Sequence, residues 1–278
     1  MAGTENSSFN RIIRAVCKAN GIGYTAFSDS WGYRLTKDGK HAYIVGYQFP
    51  LNPASSRDLC QDKVLTYEVL TDAGIAAVPH YFLPMTLQED PALYAEEEAR
   101  IEAFLGREGC LVLKDNYGTG GLKVWRVRDM EGFRKILKRI WTASYAAAWC
   151  PFVEIEEEYR AVMLDGEAKL VIRKERDYTL DPSGNKVYAT WKHNLGQGAT
   201  GVPVRSAREK AVLGKIAGET VEALKMRFCS VDIVKSAGEY RVLEVNAGVM
   251  MEHFAGQSRS CFEKAKQIYG EAVLRSLS

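Results

Sequence analysis

What the 278-residue chain lacks narrows it first. Its six cysteines (Cys17, Cys60, Cys110, Cys150, Cys229 and Cys261) are scattered, with no CxxC pair. That argues against a disulfide framework and reads as reduced core thiols in a cytoplasmic protein. Its four histidines (His41, His80, His193 and His253) show no HxxxH spacing, so a zinc site is not expected. A formal net charge of +2 offers no broad field for nucleic acid or an acidic membrane, and neither is expected as a partner. No apolar run approaches the roughly eighteen residues of a membrane span. The longest candidate, Ile140 to Ile155, is broken by Thr142, Ser144 and Pro151. Residues Met1 to Ser8 carry no basic stretch followed by an apolar one, so no signal peptide is expected. Internal repeats, low-complexity segments and the GxxxxGK[ST] phosphate loop are also missing.

What is present is a mixture of helical and strand patterns, long enough for two lobes. Apolar residues Ile12, Ile13 and Val16 after Ser8 predict a capped helix ending at Gly21. A strand is expected from Tyr43 to Phe49, then a polar link from Pro50 to Ser56. One helix should run through Leu59, Val64, Leu65, Val69 and Leu70 to Gly74. Strands are expected at 78–83, 110–114, 122–127, 146–153, 159–164 and 169–173. Helices should occupy 91–105, the stripe from Phe133 to Trp141, and 263–277. Ser206 with Glu209 makes a capping box that opens a helix to Leu224. The order is α+β with antiparallel hairpins, not regular βαβ alternation.

The most informative stretch runs from Phe228 through Asp232 to Val234, turns, and returns from Tyr240 through Glu244 to Asn246. Glu244 and Asn246 are two apart, so an extended strand points both to one face. Two carboxylates and a carboxamide suit Mg²⁺, which takes its other ligands from phosphates and water. A two-residue loop, Ala237-Gly238, would set Asp232 opposite Leu243, on the wrong face. A three-residue loop, Ser236 to Gly238 with Gly238 left-handed, sets it opposite Val242 and restores one common face. The metal reading therefore expects an odd-length loop. A half-buried hairpin with polar residues facing water is the alternative reading of the same residues.

Lys114 ends a strand just before Gly118-Thr119-Gly120-Gly121, where glycines let backbone N–H groups approach phosphate oxygens. A plain hairpin turn would look similar. Lys63 lies early in an amphipathic helix, where most lysines are simply solvated. Arg160 and Arg173 sit on adjacent strand candidates, and a guanidinium grips phosphate or carboxylate through two bonds. The polar stretch from Trp191 to Gly198 should be a loop, with His193 a general-base candidate that lacks a visible partner.

In order and spacing, these pieces resemble the ATP-grasp superfamily over about residues 58 to 255. The likeness is to its carboxylate–amine ligases of the glutathione synthetase, glutamate ligase and D-alanine–D-alanine ligase type. Carrying it are Asp62-Lys63, Ala73-Gly74-Ile75, Val78-Pro79, Val112 to Lys114 with Gly118 to Gly121, Cys150 to Val153, Glu158 to Arg160, His193-Asn194 to Gly198, Asp232, and Glu244 to Gly248. The resemblance implies an ATP-grasp domain over 58–278, with a small lobe at about 86–152, preceded by a short N-terminal α/β substrate-side segment over 1–57.

It also implies roles. Lys63 and Lys114 would hold ATP phosphates beneath the loop of Gly118, Thr119, Gly120 and Gly121. The backbone of Cys150, Phe152 and Val153 would read the adenine edge beside Leu243, and Glu158 would bind the ribose. Asp232, Glu244 and Asn246 would hold two Mg²⁺ ions, with Mn²⁺ as a substitute and Glu244 bridging. Arg160 and Arg173 would face the transferred phosphoryl and the acceptor carboxylate, Gly248 the oxyanion, and His193 the amine. Cys150 stands where relatives often have Glu or Gln, and Ser230 where D-alanine ligases have Arg, a task the resemblance passes to Arg173. The implied reaction is ATP-dependent amide formation through an acylphosphate, between a small-molecule or peptide carboxylate and an amine, in an enzyme expected to be a homodimer. An ATP-grasp kinase, a carboxylating enzyme and a non-catalytic nucleotide-binding protein are the alternatives.

Overall fold

The computed structural model of the chain describes residues 6–181, 186–188, 191, 195 and 199–278. The first helix, α1 (Ser8–Ala19), is capped by Ser7, whose hydroxyl accepts from the Asn10 N–H, one residue earlier than expected. Its apolar stripe buries Ile12, Ile13 and Val16. An antiparallel meander follows: β1 (Gly23–Phe27), β2 (Gly32–Lys37) and β3 (Lys40–Val45). The strand expected at 43–49 thus begins earlier, because Asp38-Gly39, both with positive φ, form a two-residue hairpin turn.

The single helix expected around Leu59 to Leu70 is two, α2 (Ala54–Gln61) and α3 (Lys63–Asp72). Asp62, extended at ψ 111°, breaks them, and its Oδ1 accepts from the Val64 and Leu65 N–H groups to cap α3. Next come β4 (Tyr81–Pro84), α4 (Pro91–Glu108), β5 (Leu111–Asp115), β6 (Val124–Val127), α5 (Met130–Trp141) and β7 (Ala146–Pro151). They build a four-stranded antiparallel sheet in the order β4-β7-β5-β6, with α4 and α5 packed on the face of Leu111, Leu113 and Trp149.

The remaining strands are β8 (Glu157–Leu164), β9 (Glu167–Glu175), a small pair β10 (Tyr178–Leu180) and β11 (Lys186–Tyr188), β12 (Thr200–Pro203), β13 (Phe228–Ser236) and β14 (Glu239–Asn246). A five-stranded antiparallel sheet runs β12-β9-β8-β13-β14. Helix α6 (Ala207–Ala223), capped by Ser206 as expected, covers the face carrying Tyr159, Ala161, Val231 and Ile233. The opposite face is divided. Val162, Leu164, Ile172 and Phe228 at one end lie under α1, the N-terminal sheet and the last helices, α7 (Glu252–Ala255) and α8 (Arg259–Ser276). Glu158, Arg160, Lys174 and Asp232 occupy its other end and are charged. Among the described residues, no helix is long and apolar enough to cross a membrane.

The β13–β14 hairpin corrects one expectation. Ser236 pairs with Glu239, so the loop is the two-residue Ala237-Gly238, with both residues left-handed. Parity is restored elsewhere: a β-bulge leaves Leu243 unpaired, and Asp232 faces Glu244 instead of Val242.

Candidate active site

Between the two sheets lies a cleft of about 820 Å³, counting its open mouth. Val112, Lys114, Gly118, Gly121 and Val124 reach it from β5, β6 and their loop. Cys150 to Val153 line it where the chain crosses from β7 toward β8, and Glu158, Leu243 and Glu244 line it from the larger sheet. Lys63 enters from the first residue of α3, and Trp191 from beyond β11. The bulge explains why neighbours Leu243 and Glu244 both face the cleft.

One end is apolar. Val78, Val112, Cys150 and Val234 are buried there, packed with Val124, Phe152, Val153, Trp191 and Leu243. The Arg126 guanidinium carbon lies 3.5 Å from the Phe152 ring centroid, a cation–π contact that fixes the ring. Burial pushes the Cys150 thiol up, with Lys114 acting the other way, so this cysteine is a packed thiol and not a nucleophile.

The other end is cationic. Lys114 is buried, and among the described residues its ammonium has no hydrogen-bond partner. Lys63 differs: its Nζ donates to Asn116 O at 3.0 Å and Gly118 O at 2.5 Å. Burial lowers its pKa to about 8, opposed by Glu244 and assisted by Lys114. The glycine loop needs its glycines at defined points. A Cβ at Gly118 would sit 3.1 Å from Asp115 Cβ, while Gly120 and Gly121 have φ of +68° and +65°. Thr119 O accepts a bond from the Leu122 N–H across the turn. His80, also buried, donates from Nδ1 to Val78 O at 2.8 Å, and among the described residues its Nε2 has no partner. Burial, then the Lys114 charge, holds that ring neutral.

On the larger sheet, Arg160 grips Asp232 with two bonds, Nε to Oδ1 and Nη2 to Oδ2, both 2.7 Å. Lys174 Nζ lies 2.8 Å from Asp232 Oδ2 and 2.5 Å from Glu158 Oε1. All are buried, Asp232 to 1% exposure. Burial alone would raise the Asp232 carboxyl, but Arg160 and Lys174 hold it well below the usual carboxylate range.

Arg173 is not part of this group. It pairs in register with Tyr159, on the face away from the cleft, and bonds Glu157 and Glu175. Its neighbour Lys174 shares the face of Ile172 and Arg160. Strand alternation counted from Arg160 would have found Lys174, once the β8–β9 register was known. Glu158 meets Lys174 as well as the cleft, and Arg160 meets Asp232. Gly248 lies in the bend after β14, where a Cβ would come 3.6 Å from Gln48 Cγ. His193 lies outside the described residues, as do Lys192, Asn194, Gly196 and Gly198 of the expected loop.

The donor set fits a hard divalent cation in part. Glu244 and Asn246 share the Asp232 face, with Asn246 Nδ2 donating to Glu244 Oε1 at 3.2 Å and the Asn246 carboxamide oxygen left as a donor atom. Asp232 has three of its roughly four acceptor positions filled by Arg160 and Lys174, leaving one on Oδ1. Among the described residues, no group of three or more His, Cys, Asp or Glu side chains could hold a metal. Glu244 and Asn246, completed by phosphate and water oxygens, suit Mg²⁺, whereas an all-protein cage is absent from the described residues.

No protein-family model matches the chain, and no curated protein matches it in sequence. Solved structures do match it. A D-alanine–D-alanine ligase from Bacillus anthracis is 19% identical with a TM-score of 0.59, over 81% of this chain and 68% of that one. A bifunctional glutathione synthetase from Pasteurella multocida is 15% identical with a TM-score of 0.60, over 96% of this chain but 45% of that one. The ATP-grasp ligase PsnB, complexed with a phosphomimetic variant of minimal precursor, Mg and ADP, is 15% identical with a TM-score of 0.57, over 82% of this chain and 62% of that one. Two lobes of antiparallel sheet around a cleft are thus an architecture this chain shares with these ligases: it has the ATP-grasp fold.

Proposed function

We propose that the chain is an ATP-dependent ligase that joins a carboxylate to an amine through an acylphosphate, releasing ADP and phosphate. The observation that carries this reading is the polarity of one cleft. Apolar residues Phe152, Val153 and Leu243 line one end, Lys114, whose ammonium has no hydrogen-bond partner among the described residues, lines the same cleft, and Glu244 lines it from the other sheet. Structural neighbours complexed with ATP, or with Mg and ADP, support the nucleotide assignment.

In this reading Lys114 and Lys63 neutralise phosphate oxygens and the glycine loop covers them. Phosphoryl transfer asks for positioning and charge neutralisation, and not for a protein nucleophile. Glu244 and Asn246 would hold Mg²⁺, which would neutralise phosphate charge when bound. Arg160 and Lys174, fixed by Asp232 and Glu158, present a rigid cationic floor where the γ-phosphoryl and the acceptor carboxylate meet. Lys174 takes the part that the resemblance assigns to Arg173. Gly248 and the turn at Tyr47 and Gln48 border the acceptor end.

The test is phosphate release from Mg-ATP with amino acids and small peptides supplied in pairs, and mass spectrometry of the products. Release that needs both a carboxylate and an amine, with a product whose mass is that of the two substrates less one water, supports the ligase. A stable phosphate ester formed without an amine would replace it with a kinase.

A further inference from the structure

The glycine loop is held at its base and at its tip by different lobes. At its base Asp115, 6% exposed, organises the turn from within its own sheet. Its Oδ1 accepts from the Tyr117 N–H at 3.1 Å and the Ser144 hydroxyl at 2.9 Å, and its Oδ2 meets Lys123 Nζ at 3.0 Å. The tip is held from the start of α3. Lys63 Nζ donates to Asn116 O and Gly118 O, the Val64 N–H donates to Asn116 Oδ1 at 3.3 Å, and the Tyr117 hydroxyl donates to Asp62 Oδ2 at 3.1 Å. Residues 62–64 therefore grip residues 116–118 through four hydrogen bonds that cross the cleft.

Each partner carries a second sign of design for this contact. Asp62 divides its carboxylate, with Oδ1 capping α3 and Oδ2 meeting Tyr117. The helix break at Asp62 brings Lys63 to the first position of α3, in the cleft. Asn116 is fully buried, yet its Nδ2 has no partner among the described residues, so an apolar side chain would be cheaper there unless the Asn116 Oδ1 contact matters.

We propose that Asp62, Asn116 and Tyr117 are positioning residues: they clasp the glycine loop to α3 and so fix Lys63 and the loop before the nucleotide's polyphosphate arrives. The proposal rests on the nucleotide reading of the cleft. The clasp acts where phosphates bind, and leaves the base slot at Phe152 and Leu243 untouched. Breaking it makes the loop order itself at the moment of binding, which weakens polyphosphate binding and spares the nucleoside.

The experiment titrates the full chain with Mg-ATP and, separately, with adenosine, by calorimetry. Tyr117→Phe removes one hydroxyl from a side chain that is 37% exposed, so the fold should survive. Asp62→Ser keeps a helix cap but is too short to meet Tyr117. Each variant should weaken Mg-ATP by about three- to tenfold, the worth of one net hydrogen bond, with adenosine affinity unchanged. The double variant should lose no more than either single, since both break one contact. If Asp62→Ser fails to fold, Tyr117→Phe alone decides. Wild-type affinity for Mg-ATP in Tyr117→Phe, or equal losses for ATP and adenosine, overturns the clasp while leaving the nucleotide reading standing. A wild-type chain that binds no Mg-ATP overturns both.

Discussion

The two faces of the five-stranded sheet carry charge clusters drawn from the same strands, yet they are physically unlike. On the cleft face, Glu158, Arg160, Lys174 and Asp232 are closed off from water, with the Lys174 and Asp232 side chains each 1% exposed. On the other face, Arg173, Glu157, Glu175 and Lys235 sit at the ends of β9, β8 and β13, with Arg173 43% exposed, around the Tyr159 hydroxyl that donates between Glu157 and Glu209. Charges in water are cheap to keep and gain little from pairing. Buried charges are costly, and they persist where their geometry is used. Position 173 against position 174 is this contrast compressed into one peptide bond.

The largest effect should come from the cleft face. Glu244→Gln should lower turnover on the order of 10²- to 10³-fold, with an unchanged denaturation midpoint, because it removes a charge that faces phosphate and metal without breaking an ion pair. Normal turnover in that variant would free Glu244 from the site. Lys174→Met comes next. It leaves Glu158 buried without its cation and Asp232 with Arg160 alone, and should destabilise the fold by about 3–5 kcal/mol in urea unfolding. A loss under ~1 kcal/mol would mean the cleft face is no more demanding than the other.

Acid should separate the faces further. Asp232 is held below its unfolded value, so its contribution is fully present above about pH 4 and is lost as pH falls toward the folded value. Urea midpoints measured from pH 6 down to pH 2 should fall steeply below about pH 4, and Asp232→Asn, whatever its own stability, should flatten that slope. Smallest of all, Arg173→Ala should cost less than ~1 kcal/mol and leave Mg-ATP affinity alone, since its partners are half in water. Loss of ATP affinity there would reverse the assignment of the two faces.

Local patterns made much of this readable from sequence. The capping box at Ser206 and the stripe on α5 are short-range signals that packing did not override. What escaped depends on register. The bulge at Leu243 undid the argument for an odd-length loop, because an extra residue within a strand changes parity just as an extra residue in the turn does. The β8–β9 pairing decided which of Arg173 and Lys174 shares the face of Asp232: a bulge between Val162 and Met163 shifts the register by one residue, and the short turn at Asp165 and Gly166 gives no sign of it. Asp62 was hidden inside one apolar period shared by α2 and α3, and its role as a cap appears only once the helix is broken.

The most direct measurement is calorimetric titration of Mg-ATP into the wild-type chain and Lys114→Ala. Saturable binding by the wild type, weakened at least about tenfold in Lys114→Ala, is the result expected of a buried ammonium that faces phosphate. Equal affinity in the two proteins, or none in either, would contradict the assignment of this cleft to a nucleotide.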